Sequence, residues 1–347
     1  MLFDIASALH MTCLPKPELV CPAGSPRAFD KALKAGADAI YLGLRDPTNA
    51  RNFAGLNFTP HEVRDAVTRA HRHGRKVLMA LNTFAHAVDP TPWFKAVDAA
   101  AAAGVDALIA ADAAVLAYAC RVHPQMRRHL SVQASATNHE AIALYHERYG
   151  IQRAVLPRVL TLSQVAHVVR HTPVEIEVFG FGSLCVMVEG RCALSSYATG
   201  CSPNNAGVCS PAEAVRWDDA GGVVNARLGG VLIDRYAPDE PRAYPTLCKG
   251  RFDVQGQVAH ALEEPTSLNT LDVLPDLWRA GVRAIKIEGR QRSAAYIEQV
   301  TRVWRQALDR LTPTDAPWQP SPQWHDTLAR LSEGRQTTLG ALSRPWQ

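Results

Sequence analysis

Apolar residues in this chain fall in short unbroken runs, and most runs follow an alanine-rich stretch of helical period that stops at glycine. Five segments share the layout: AGADAIYLG at Gly36, HGRKVLMAL at Gly74, AGVDALIAA at Gly104, YGIQRAVLP at Gly150 and AGVRAIKIE at Gly281. Glycine at such a stop takes the left-handed conformation that ends a helix. The apolar run after it suits a parallel strand covered on both faces. The first four glycines are 38, 30 and 46 residues apart, the length of a strand plus a crossover helix with its loops. Adding ELVCPAG near the start, HLSVQAS at 129–135 and EIEVFG at 175–180 gives eight strands. The expected fold is therefore α/β, a TIM-type (β/α)8 barrel. A doubly wound open sheet would call for a glycine-rich phosphate loop after the first strand, whereas CPAGSPRAFD has one glycine and two prolines.

The spacing breaks between Gly150 and Gly281, where 131 residues hold only strands six and seven. Roughly residues 181–270 read as an insertion after strand seven, on the C-terminal face where barrel enzymes carry their active sites. A helix is expected from Ser293 to Leu311, with Tyr296, Ile297, Val300, Val303, Trp304 and Leu308 on its buried side. The organisation is then a tail over 1–17, a barrel over 18–310 containing the 181–270 insertion, and a proline-rich extension over 311–347 that packs on the outside of the barrel.

No stretch approaches the roughly 18 consecutive apolar residues of a membrane span. The start, MLFDIASALHMTCLP, lacks the basic region of a secretory signal, and Met11 offers a second start. A cytoplasmic location is expected, and in a reducing compartment the eight cysteines read as thiols or metal ligands rather than disulfides. A net charge of +4 with scattered Lys and Arg permits nucleic-acid binding without arguing for it.

Cys185, Cys192, Cys201, Cys209 and Cys248 lie within 64 residues, all in the insertion. Cys21, inside strand one, and Cys120, at a helix end, read as small apolar residues, and Cys13 as part of the tail. Zinc sites usually show Cys-x2-Cys pairs. Here six residues separate Cys185 from Cys192, sixteen lead to Cys209 and thirty-eight to Cys248, a spread that favours an iron-sulfur cluster. Spacing does not choose between Cys201 and Cys209, which open the duplicated Cys-Ser-Pro of GCSPNNAGVCSPAEA.

Polar residues just after predicted strands should face the barrel mouth. These are Arg51 and Asn52 after strand two, Asn82 after three, Gln133, Ser135 and Asn138 after five, Arg158 after six, and Glu288 and Arg290 after eight. Asn138 can equally cap the next helix, and Glu288 can pair with an arginine. Three arginines at one face suit an anionic ligand, because a guanidinium grips a carboxylate with two parallel hydrogen bonds. His71 and His86 are read as surface residues.

The segments FGSLCVMVEGRC, CSPAEAVRW, YPTLCKGRF and HALEEPTSLNT, with ARNFAGLNFT, NTFAH, SVQASATN and KIEGRQRS elsewhere, resemble the collagenase-like peptidase U family, in its branch that serves oxygen-independent ubiquinone biosynthesis. The likeness runs from about Glu18 to Gln347. It implies a 4Fe-4S cluster held by Cys185, Cys192, Cys209 and Cys248, with Cys201 in a loop and no ligand role. It implies an enzyme that hydroxylates the aromatic ring of ubiquinone precursors without molecular oxygen, with prephenate, a dicarboxylate, as oxygen donor. It further implies a heterodimer with a UbiV-like paralogue that carries its own cluster. On this reading Arg51, Asn52, Asn82, Gln133, Arg158, Glu288 and Arg290 are the substrate-binding candidates.

Other functions make different demands. A metalloprotease typically needs His-Glu-x-x-His, which HEVRDAVTRAH and HERYG do not supply. Relatives within the family modify transfer or ribosomal RNA, and an RNA hydroxylase is expected to carry an added binding domain or a strong basic patch, while this chain ends soon after the last barrel helix. A scaffold with a purely structural cluster would bind iron without turnover.

Overall fold

Six of the helices between barrel strands start at a side chain placed to satisfy their first backbone N–H groups: Ser25, Thr59, Asp112, Asn138, Thr161 and Ser293. Thr59 with Glu62 and Thr161 with Gln164 form full capping boxes. At the other end Gly104 and Gly150 sit in the left-handed region, with φ of 72° and 60°, and turn the chain into the next strand. The computed structural model describes residues 14–185, 187, 191–203, 208–313 and 317–343.

The strands so delimited are β1 (Glu18–Pro22), β2 (Ala39–Leu42), β3 (Lys76–Leu81), β4 (Ala107–Ala110), β5 (Arg127–Leu130), β6 (Arg153–Val155) and β7 (Glu175–Ser183). Between them run α1 (Pro26–Lys34), α2 (Pro60–Arg72), α3 (Thr91–Ala103), α4 (Ala113–Val122), α5 (His139–Tyr149) and α6 (Leu162–His171). After β7 comes the insertion. It holds a short helix α7 (Ala193–Thr199), an antiparallel sheet of β8 (Val215–Asp219), β9 (Val224–Leu228) and β10 (Val231–Tyr236), and a hairpin of β11 (Arg251–Val254) with β12 (Gln257–His260). Ala226, Leu228, Ile233 and Tyr236 give the insertion a small core of its own. β13 (Ser267–Asn269) then returns antiparallel to the end of β7. α8 (Leu274–Arg279) leads to β14 (Ala284–Ile287), which pairs in parallel with both β7 and β1 and closes an eight-stranded parallel barrel. The fold is the TIM-type barrel expected from the repeats.

The strand runs suggest apolar faces on both sides, and only the outer face keeps to that. Leu19, Ile40, Val77, Leu108, Ile285 and their alternates pack beneath the helices. The inner face holds Val20, Ala39, Tyr41, Leu78, Ala80, Ala107, Ile109 and Ala284, but charged residues as well. Arg153 on β6 reaches Glu18 on β1 at 2.7 Å, and these strands are not neighbours in the sheet, so the pair crosses the barrel interior. Arg153 also meets Glu175 at 2.6 Å and Glu177 at 3.3 Å, and Lys286 bonds Glu177 at 2.7 Å. With a side-chain period of two, a Glu or Lys at an inward register of a run such as EIEVF or AIKI lands inside, and such charges are tolerated there because they neutralise one another.

The fifth strand also starts earlier than HLSVQAS suggested. It covers Arg127–Leu130, and Val132–Ala134 forms a 3₁₀ turn capped by the Ser131 side chain and closed by left-handed Ser135. That turn swings Gln133 over the barrel mouth. Asn138 accepts from the Ala141 N–H at 2.8 Å, which makes it the cap of α5.

The helix from Ser293 is α9 (Ala294–Arg310), with Tyr296, Ile297, Val300, Val303, Trp304 and Leu308 buried. After it, α10 (Pro322–Leu331) lies along α9, with Trp324 Nε1 donating to Gln306 Oε1 at 2.9 Å. The extension then reaches the mouth of the barrel. β15 (Thr337–Thr338) adds in parallel to β13, and Glu333 comes to rest at the mouth. Cys13 lies outside the described residues.

Candidate functional site

A pocket opens at the C-terminal ends of the barrel strands, where barrel enzymes carry their active sites. Of the residues singled out from sequence, Arg51, Asn82, Gln133, Arg158, Glu288 and Arg290 all line it. Asn52 does not line it, and Ser135 and Asn138 lie outside it as well.

Glu288 organises the wall. Its two carboxylate oxygens accept separately, Oε1 from Arg51 at 3.0 Å and Oε2 from Arg158 at 2.6 Å. Burial alone would raise the Glu288 pKa, but the charges of Arg158 and Arg51 outweigh it and hold the carboxyl below its usual range. The guanidinium of Arg158 also lies over the Phe179 ring.

The loop after β2 is braced to present Arg51. Asn82 Oδ1 accepts from the Ala50 N–H at 3.1 Å, Asn49 Oδ1 accepts from the Arg51 N–H at 3.0 Å, and Asn57 donates to the Arg51 carbonyl at 2.8 Å. Asn49 Oδ1 also accepts from Arg290. Burial lowers the Arg290 pKa to about 10, which leaves it cationic at neutral pH. Gly24 makes this arrangement possible, because a Cβ there would fall 1.6 Å from the Arg290 carbonyl oxygen.

Position just past a strand end does not mark every polar residue of the pocket. Lys286 and Tyr41 sit on inner faces within β14 and β2, and Lys286 Nζ lies 4.0 Å from the Tyr41 ring centre. Burial lowers the Lys286 pKa, while Glu177 opposes the shift. A lone polar side chain at an inward register of an apolar run was the available signal. Among the described residues four cations thus line the pocket with one carboxylate, and Glu177 beneath pairs with Lys286. Phe179, Val155 and Ile109 supply apolar wall.

The two histidines read as surface residues lie outside this pocket, His71 paired with Asp106 at 2.9 Å and exposed His86 in the loop after β3.

The insertion covers one side of the mouth. Ser195 links two of its cysteines: its N–H donates to Cys192 Sγ at 3.3 Å, and its hydroxyl donates to the Cys209 carbonyl. Burial raises the Cys209 thiol pKa, Arg51 opposes that, and Cys192 and Cys248 raise it further. Burial likewise raises Cys248, with Cys192 adding to the effect. These three thiols therefore lie within electrostatic reach of one another and of the pocket wall. Cys201 is not among the main charges acting on either, and Cys185 is exposed just past β7. Cys21 is buried against Thr301 with its pKa pushed up to about 12, an inert core thiol.

Among the described residues no three His, Cys, Asp or Glu side chains are drawn together closely enough for a single metal ion. A four-iron cluster is larger than an ion and takes one thiolate at each of four irons, so it needs thiols spaced around a volume. Three half-buried thiols, Cys192, Cys209 and Cys248, the first already receiving a backbone N–H, and the exposed Cys185 fit such a group chemically.

The model of peptidase family U32 matches residues 24–344. The chain belongs to this family. This U32 protein is 30% identical over 294 residues to tRNA hydroxylation protein P1 of Bacillus subtilis (strain 168), covering 85% of this chain and 63% of that one. It is 30% identical over 318 residues to the 23S rRNA 5-hydroxycytidine C2501 synthase of Escherichia coli (strain K12), covering 92% of this chain and 42% of that one. It thus spans less than two thirds of either relative. A solved structure of a U32 peptidase aligns with a TM-score of 0.47 at 15% identity, covering 79% of this chain and 93% of that one. Among the described residues no helix is long and apolar enough to cross a membrane.

Proposed function

We propose that this U32 protein is an oxygen-independent hydroxylase of ubiquinone precursors, a UbiU-like subunit that works with a UbiV-like paralogue. The observation that carries the reading is the gathering of three guanidiniums at one pocket. Arg51, Arg158 and Arg290 converge on one pocket, and their guanidiniums suit a dicarboxylate oxygen donor such as prephenate. Glu288 holds two of the guanidiniums in place before any ligand arrives, so little reorganisation accompanies binding. The apolar wall of Phe179, Val155 and Ile109 accommodates a ring.

Cys185, Cys192, Cys209 and Cys248 would hold the 4Fe-4S cluster. When bound, such a cluster supplies one-electron chemistry that no side chain can perform. The chain's own residues bind and orient the anion and shield it from bulk water.

The names of the relatives favour a second reading, in which the same pocket serves hydroxylation of RNA. Deleting the gene and growing the cells without oxygen separates the two. We expect ubiquinone to fail and under-hydroxylated precursors to accumulate. Normal ubiquinone together with loss of a hydroxylated nucleoside would transfer the assignment to RNA.

A further inference from the structure

The anion pocket and the cysteine segments are joined through one aromatic contact. Phe53 lies two residues past Arg51 in the braced loop after β2, and its N–H bonds the Arg51 carbonyl at 2.9 Å. Its ring meets Tyr244 of the insertion edge-on, with centroids 5.7 Å apart and planes at 74°. The Tyr244 hydroxyl accepts from the Ser210 N–H at 2.9 Å and donates to the Ser210 carbonyl at 3.2 Å, gripping the residue after Cys209 by its main chain. Ser210 is itself buried, and its hydroxyl donates to the carbonyl of Pro245, in the segment that reaches Cys248 three residues later. Ser195 extends the same stitching to Cys192.

We propose that Tyr244 is a positioning residue that couples anion binding at Arg51 to occupancy of the cysteine site, so that each stabilises the other. The inference rests on the iron-sulfur reading above. Filling the cysteine site fixes the Cys209 segment, and Tyr244 and Phe53 pass that order to the loop presenting Arg51. By reciprocity an anion held by Arg51 steadies the cysteine segments.

The test is calorimetric titration of malonate, a simple dicarboxylate, into anaerobically prepared protein, iron-loaded and after chelator stripping. In the wild type we expect malonate to bind the loaded form about fivefold or more tightly than the stripped form, the lower range for coupled sites. Tyr244→Phe keeps the ring contact but loses both hydrogen bonds to Ser210. It should bring that ratio close to one while iron content and visible spectrum stay as in the wild type. Phe53→Ala cuts the same joint from the barrel side and should do likewise, which guards against one variant misfolding. Equal affinities in the two wild-type forms, or the full ratio retained in Tyr244→Phe, overturns the coupling. A wild-type protein that holds no iron overturns instead the cofactor reading, and that is seen before any variant is made.

Discussion

The guanidinium of Arg158 lies over the face of Phe179, 3.6 Å from the ring centre, while its NH2 group donates to Glu288. Stacking and a directed hydrogen bond together fix the plane of the cation, which an ammonium on a flexible stem cannot reproduce. Arg158→Lys should therefore keep the charge but weaken malonate binding by about tenfold, the scale of one lost charge-assisted hydrogen bond. Calorimetry checks this, and unchanged affinity would mean that only net charge matters.

Replacing Glu288 by Gln removes the acceptor charge shared by two largely buried guanidiniums. Breaking a buried pair on one side costs about 3–5 kcal/mol, to be read from denaturant unfolding. Malonate affinity should hold or rise, because the pocket becomes more positive. The pH dependence follows from the lowered Glu288 pKa: its stabilisation is present above the ordinary carboxylate range and is lost as pH falls through the lower, folded-state value. Glu288→Gln should remove that part of the acid-side loss.

His129 is buried inside the barrel, and among the described residues neither ring nitrogen has a hydrogen-bond partner. Burial first, and then the charge of Arg153, hold its pKa well below the ordinary histidine value. The unfolded chain takes up a proton near pH 6.5 that the folded chain refuses, so stability should decline below that pH by up to about 1.4 kcal/mol per unit. His129→Leu should flatten the slope in unfolding curves between pH 5 and 7, the window set by the reference histidine pKa.

Cys209→Ser should lose iron and sulfide from anaerobically purified protein, while Cys201→Ser should keep both. Equal loss in the two variants would return the choice between the paired Cys-Ser-Pro motifs to where spacing left it.

Gly24→Ala drives a methyl into the Arg290 carbonyl and must push β1 away from the loop after β14. A destabilisation of about 1–3 kcal/mol, typical of overpacking, should accompany weaker malonate binding, since Arg290 moves with its backbone. Thermal unfolding and calorimetry report the two effects.

The barrel was legible because its signals are local: a helix that stops at glycine and a strand that follows. Arg51, Arg158, Glu288 and Arg290 were legible for a topological reason, since residues just past the strands of a barrel meet at one face. Lys286, Tyr41 and Glu177 were not, because within an apolar run only knowledge of which alternate faces inward separates a pocket floor from a helix-covered surface. Glu333 was further out of reach. It stands 150 residues from Ser183 and 84 from Lys249, and nothing in EGR marks it for the mouth.

That carboxylate accepts from Lys249, beside Cys248, from Arg292 past β14 at 3.1 Å and from Ser183 at the end of β7 at 2.6 Å. Three strands' worth of mouth thus converge on a residue made late in synthesis. When Lys249 is added to the chain, its acceptor is still 84 residues from being made. The N-terminal strands can pair as they appear, but the functional end of the barrel is sealed only after Glu333 has left the ribosome.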